Sequence, residues 1–141
     1  MSAIRQQINI ARPIRAVWTA LTTADGLMSW WADDARVDAR PGGRVVVFTE
    51  GDDGEPMEER GILHELRPTR KIEIAWDSNS PALTRGTRLL FQLARDGEET
   101  RVSLVHSGRG VLEDEEARDT LDKDWRRALR SLRDSLEADE S

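Results

Sequence analysis

Few side chains in this chain could do chemistry, and their types narrow the options. There are no cysteines and only two histidines, His64 and His106. Thiolate chemistry, disulfides and a Cys/His metal site are therefore excluded, and no HExxH spacing occurs. Neither a metal nor a cofactor is expected. His106 shares strand parity with Val102 and Leu104, so it should point inward. There it is either a satisfied core residue or a polar anchor for a ligand in an otherwise apolar pocket. Burial would lower its pKa and keep it neutral unless a carboxylate pairs with it. The carboxylate in question is Glu65, on the strand face opposite Ile62, His64 and Leu66. Parity alone leaves open which of these faces looks inward. If Glu65 is inside, Arg60 or His106 is its natural partner, and Glu65 with His106 could act as an acid–base pair. As a mark of an enzyme this is poor, because many binding proteins bury one such pair. Arg40-Pro41-Gly42-Gly43-Arg44 lacks the GxxxxGK[ST] spacing and opens a strand rather than a helix, so it reads as a hairpin turn.

Five tryptophans beside two phenylalanines and no tyrosine make an unusual aromatic set. Such rings offer broad apolar area with one donor each, which suits planar ligands. Trp125 points from the last helix at the sheet, either as a core ring locking the two together or as one wall of a cavity. Trp76, Leu89 and Phe91 face the same space by strand parity, as core or as ligand contacts. Trp31 ends the second short helix and serves as packing or as a gate.

Those residues need elements to hold them. Ala117, Leu121, Trp125, Ala128, Leu129, Leu132 and Leu136 recur three or four apart over Glu113–Ala138, which predicts a long helix with one apolar stripe. Acids from Glu113 to Glu116 open it, and Arg126, Arg127, Arg130 and Arg133 lie toward its end, the order the helix dipole favours. Earlier, Ile4, Ile8 and Ile10 suggest a first strand. Pro13 suits the first position of a helix carrying Ile14, Val17, Trp18 and Leu21. Thr23 or Asp25 can cap a second short helix running through Leu27, Met28, Trp30 and Trp31. Strands are expected around Arg36–Asp38 and over Arg44–Thr49, Met57–Leu66, Lys71–Trp76, Thr84–Ala94 and Thr100–Ser107, with Asp77–Leu83 a loop. Asp96-Gly97 marks a hairpin. Short turns between these strands make an antiparallel meander, so the fold class is α+β: a curved antiparallel sheet against a long C-terminal helix. The 141 residues are expected to form one domain, residues 1–141, fraying from about 138.

A net charge of −6 argues against a general nucleic-acid binder. No apolar run is long enough for membrane insertion, and the first residues lack the apolar core of a signal peptide, so a cytoplasmic protein is expected. A homodimer is compatible with the sequence, which does not point to a surface for it.

Ala11-Arg12-Pro13-Ile14-Arg15-Ala16-Val17-Trp18-Thr19-Ala20-Leu21-Thr22 resembles the opening of the START-like (SRPBCC, helix-grip) proteins. In that branch's order follow Trp30-Trp31, Arg40-Pro41-Gly42-Gly43, Gly61 with Glu65-Leu66 and Pro68, Trp76, Thr87-Arg88-Leu89, Thr100-Arg101-Val102, His106-Ser107-Gly108, and Trp125 with Leu129, Leu132 and Leu136. The branch it resembles is the activator of heat-shock-protein-90 ATPase homologue family. One departure is Asp124, where that family often has glycine before the tryptophan. The resemblance implies a helix-grip fold with a cavity under the long helix and a record of hydrophobic-ligand binding, and no shared catalytic residue. The ligand-facing set is then Trp31, Leu63, Trp76, Leu89, Phe91, His106, Trp125 and Leu129, and the expected partner is a small hydrophobic or aromatic molecule. Two alternatives stand beside it. One is a chaperone ATPase activator-like interaction module, although the related eukaryotic activators carry an additional N-terminal domain not found in these 141 residues. The other is a cyclase- or hydrolase-like enzyme using Glu65 and His106.

Overall fold

The structure is a computed structural model that describes residues 3–50, 54–77, 86–108 and 114–138. The elements run β1 (Ala3–Ile10), α1 (Ile14–Thr22), α2 (Ala24–Met28), β2 (Asp34–Val37), β3 (Arg44–Glu50), β4 (Pro56–Arg67), β5 (Lys71–Trp76), β6 (Thr87–Asp96), β7 (Glu99–Gly108) and α3 (Glu115–Ala138). The strands form a seven-stranded sheet in the order β1-β7-β6-β5-β4-β3-β2. Every neighbouring pair is antiparallel. Apart from β1, this is a meander with strands paired in chain order, as short turns require. β1 closes the far side by pairing with β7 along its whole length, from Ala3↔Ser107 to Ile10↔Thr100.

One face of the sheet is dry. Ile72, Ile74 and Trp76 of β5, Leu89, Phe91 and Leu93 of β6, and Val102, Leu104 and His106 of β7 are all buried. The alternation read from the sequence holds for these three strands. Onto this face lies α3, whose 24 residues span about 36 Å at 1.5 Å per residue. Leu121, Trp125, Leu129, Leu132 and Leu136 are its buried stripe. Full burial of an aliphatic side chain such as Leu129 or Leu132 stabilises by about 1.5–3 kcal/mol, and five such positions in line hold the helix down. Polar ties fix its register. Gln6 Nε2 on β1 donates to the Asp122 main-chain oxygen and to its carboxylate, both at 2.7 Å, and the Ala11 N–H donates to Glu137 at 2.9 Å. Asp124 is exposed and pairs with Arg127 at 3.7 Å, so its departure from glycine leaves the helix–sheet contact untouched. The charge order is only partly as expected. Glu115 and Glu116 occupy the first turn, but the last turn holds no base because the helix continues past Arg133.

Three local expectations need correction. Helix α2 stops at Met28: the Ser29 hydroxyl and N–H turn back to the Gly26 carbonyl, so Trp30 and Trp31 lie in the turn beyond. Pro13 caps α1 from an extended conformation rather than taking its first helical position. In β4, the register shifts between Leu63 and Glu65, a bulge that reverses the strand's parity. Glu59, Gly61 and Leu63 face inward before it, and afterwards Leu66, opposite Ile72, does so in place of Glu65. Thr23 is confirmed as the α2 cap, accepting from the Gly26 N–H at 2.9 Å. The Asp96-Gly97 hairpin is also as expected, with Gly97 at φ +64° between paired Asp96 and Glu99. Most of the expected Asp77–Leu83 loop, the expected strand start at Thr84, the helix start at Glu113 and the tail beyond Ala138 lie outside the described residues. Among the described residues, no helix is long and apolar enough to cross a membrane.

Candidate functional site

Between the dry face and α3, where the sequence reading places a cavity, stands a connected cluster of rings. Trp31 is its hub. Its ring centre lies 5.6 Å from Trp30, 5.9 Å from Trp76 and 5.3 Å from Trp125. Phe91 stands edge-on to Trp30 and to Trp125, at 6.3 Å from each. His106 is edge-on to Trp125 at 5.9 Å. Tilted and edge contacts at such distances are the favoured arrangements of aromatic pairs. Five elements deliver the six rings: Trp125 comes from the helix stripe, Trp76, Phe91 and His106 from β5, β6 and β7, and Trp30 and Trp31 from the turn after α2. Leu63, Leu89 and Leu129 are buried in the same core. All eight residues singled out from the sequence thus belong to one core, with Trp31 alone only partly buried.

The cluster's polar atoms are unevenly satisfied. The Trp125 indole N–H donates to His106 Nδ1 at 3.0 Å. That bond makes Nδ1 an acceptor, so the neutral ring carries its proton on Nε2, which donates to the Thr87 hydroxyl at 2.7 Å. Burial pushes the His106 pKa down to about 4. Both ring nitrogens are used inside the protein, and His106 acts as a bracket joining β6, β7 and α3. The Trp30 N–H is likewise bonded, to the Ala20 carbonyl at 2.9 Å. Trp76 differs. The residue is 4 % exposed, and its Nε1 donor has no partner among the described residues. A buried N–H without an acceptor is uncommon and costs about 1–3 kcal/mol.

Trp76 is also placed with little tolerance. It stands across from Gly61 of β4. A Cβ on Gly61 would lie 2.8 Å from the Ala75 carbonyl oxygen, 2.9 Å from Ile74 Cγ2 and 3.0 Å from Trp76 Cε3. Only glycine leaves room for the ring there.

The acid–base pair is not assembled. Glu65 lies opposite Glu73 on the outer face, where it meets Lys71 Nζ at 3.0 Å and Arg67 Nε at 2.8 Å. The hydrogen bond from Lys71 is the main reason its carboxyl titrates below the ordinary carboxylate range. His106 is on the inner face. The enzymatic reading that rests on these two residues fails, and the cause is the β4 bulge. Arg60 does not reach Glu65 either; it pairs with Glu58. The buried carboxylate of this strand is Glu59, which the sequence reading did not single out. Thr87 was also missed as a site residue, although it shares the parity of Leu89 and Phe91 and so had to face the same space. Among the described residues, no group of acidic or histidine side chains could hold a metal ion.

A strongly bent antiparallel meander holding a long C-terminal helix across its dry face, with two short helices after the first strand, is the helix-grip class of fold. Within that class the chain belongs to the family described as Activator of Hsp90 ATPase homolog 1-like protein, which it matches over residues 11–137. It is similar to the Aha1 dimer from Colwellia psychrerythraea, at 26 % identity and TM-score 0.82, with both chains covered in full. A protein from Mesorhizobium loti shares the fold at 16 % identity and TM-score 0.81, covering 99 % of each chain. So does an AHSA1-like protein from Aeromonas hydrophila, at 20 % identity and TM-score 0.74, covering 95 % of this chain and 92 % of that one. No curated protein matches the sequence.

Proposed function

We propose that the chain binds a small, planar hydrophobic molecule at the Trp31–Trp76 end of the ring cluster, between the sheet and α3. The observation that carries this reading is the Trp76 donor, unpartnered among the described residues, in a wall of aromatic rings. A ligand with one acceptor atom would satisfy it, while Trp31, Leu63 and Leu89 cover the flat faces. Trp31 is the gate. It sits in a turn, is only partly buried, and separates Trp76 from Trp125. Because the rings already touch, the ligand takes space by moving Trp31 rather than by filling a standing hollow. His106 and Trp125 hold the floor and make no polar contact with the ligand, since their nitrogens are engaged with each other and with Thr87. Native mass spectrometry of freshly purified protein, followed by fluorescence titration with aromatic and lipid panels, tests this. Retained or added ligand mass, with quenching lost in Trp31→Ala, is the expected result. No bound mass and no quenching by any member overturns it.

The family's description supports a second reading, in which the chain is an interaction module that stimulates a chaperone ATPase of the Hsp90 type. Absence of stimulation and of co-purification with such a chaperone disposes of it. The Aha1 relative from Colwellia psychrerythraea is described as a dimer, and a homodimer of this chain is proposed on that ground, with native mass spectrometry as the check.

A further inference from the structure

The outer face of the sheet carries a separate feature. A groove of about 550 Å³ opens over β2 to β5, floored by Val46, Phe48, Ile62 and Ala75. Ile62 is 46 % exposed, unusual for a side chain of its size in an interior strand. Arginine surrounds this floor. Arg36 stands directly across the ladder from Val46 on one side, and Arg60 on the other. Arg44, two residues along β3, stands across from Ile62. Diagonal neighbours on one sheet face are about 7–8 Å apart, within the reach of long side chains. Arg60 is tied to Glu58, but the guanidinium groups of Arg36 and Arg44 have no hydrogen-bond or ion-pair partner among the described residues. The groove's other acid, Asp77, is already engaged.

Two unpaired cations on neighbouring rungs repel each other unless something anionic joins them. Basic residues on an edge strand can serve simply to block sheet-to-sheet pairing. That role accounts for Arg36 on β2. It does not account for Arg44 on β3 or for the open apolar floor, because β3 and β4 are interior strands.

We infer that this groove binds a small amphipathic anion: an oxyanion head, such as a carboxylate, on an apolar stem. Arg36 and Arg44 fork the head, as guanidinium groups do with carboxylates. Val46, Phe48 and Ile62 cover the stem. The volume is of the size usual for small-molecule sites. The stem is either an acyl chain or an aryl group, and both present the same chemistry to the floor. The floor of this site is on the opposite face from the ring cluster, and Gly61 and Trp76 at its edge are the residues the two share.

Isothermal calorimetry with decanoate, 4-phenylbutyrate, 1-decanol and inorganic phosphate tests the inference, using the wild type, an R36Q/R44Q double variant and I62S. One or both acids should bind, with the tighter one identifying the stem. R36Q/R44Q and I62S should each weaken that acid at least tenfold without lowering the melting temperature, and decanol and phosphate should bind at least tenfold more weakly than it. Amide shifts in an NMR titration should fall on Val46 and Ile62. No binding of either acid at millimolar concentration overturns the inference, as does undiminished binding in R36Q/R44Q, or phosphate binding as tightly as the acids. If the acids shift only the tryptophan indole signals, they occupy the ring cluster: the groove is then overturned while the reading of that cluster survives.

Discussion

At one end of the ring cluster, Trp125, His106 and Thr87 form a closed chain in which the indole donor and both imidazole nitrogens are bonded. At the other, Trp76 is as deeply buried but its indole donor meets no acceptor among the described residues, and its neighbour Trp31 is partly open to solvent. Both ends centre on a buried tryptophan packed against the same face of the sheet. What separates them is satisfaction. A saturated end has no polar capacity left for a ligand and can only hold the fold together. An unsaturated end carries a standing cost that a ligand acceptor would remove. Ring chemistry alone would not tell the two apart; the partner of each nitrogen does.

The largest effect should come from the closed end. Trp125→Ala removes the ring that spans helix and sheet and strips His106 Nδ1 of its donor, so unfolding stability should fall by about 3–5 kcal/mol. Trp31→Ala, at the open end, should lower it by less than half as much while abolishing ligand quenching. Denaturant titrations of the two variants check this, and equal losses would erase the distinction. Next comes pH. The His106 pKa is about 4 in the folded protein against 6.5 for the free side chain. Between those values the unfolded chain binds more protons than the folded one, so stability rises with pH. The contribution is complete above 6.5 and is lost as pH falls toward 4, on the order of 3 kcal/mol in all. In His106→Leu the slope of stability against pH over this window should flatten relative to wild type, whatever the variant's stability at neutral pH. Gly61→Ala should cost about 1–3 kcal/mol through overpacking, with the change in near-ultraviolet circular dichroism confined to what Trp76 contributes. The smallest effect is expected at Glu65→Gln, on the outer face, which should leave melting temperature and ligand binding unchanged. A loss of function there would revive the acid–base pair that the geometry rules out.

Much of this was legible in the sequence for simple reasons. The α3 stripe and the inward faces of β5, β6 and β7 follow from periods of 3.6 and 2, which a chain displays openly. The shared place of Trp76, Phe91, His106 and Trp125 followed too, because parity on three strands and one helix stripe converge on the same space, whereas Trp30 was not singled out. The β4 bulge left no such trace. A single extra residue at Leu63–Glu65 reverses which side chains are buried, and nothing in the composition of Gly61-Ile62-Leu63-His64-Glu65-Leu66 marks it. The end of α2 was missed because Trp30 and Trp31 continue a helical spacing while the Ser29 hydroxyl has already closed the helix. The arginine-lined groove was out of reach for another reason. Arg36, Arg44 and Arg60 are brought together only by the register of three strands.

The difference between the two ends can be read directly from the indole N–H signals of the five tryptophans in an NMR titration with a planar aromatic ligand. The Trp76 and Trp31 signals should move, Trp76 downfield as its donor gains an acceptor, while those of Trp125 and Trp30, already bonded to His106 and Ala20, stay in place. Largest movement at Trp125, or no movement of any indole up to millimolar ligand, would contradict the account.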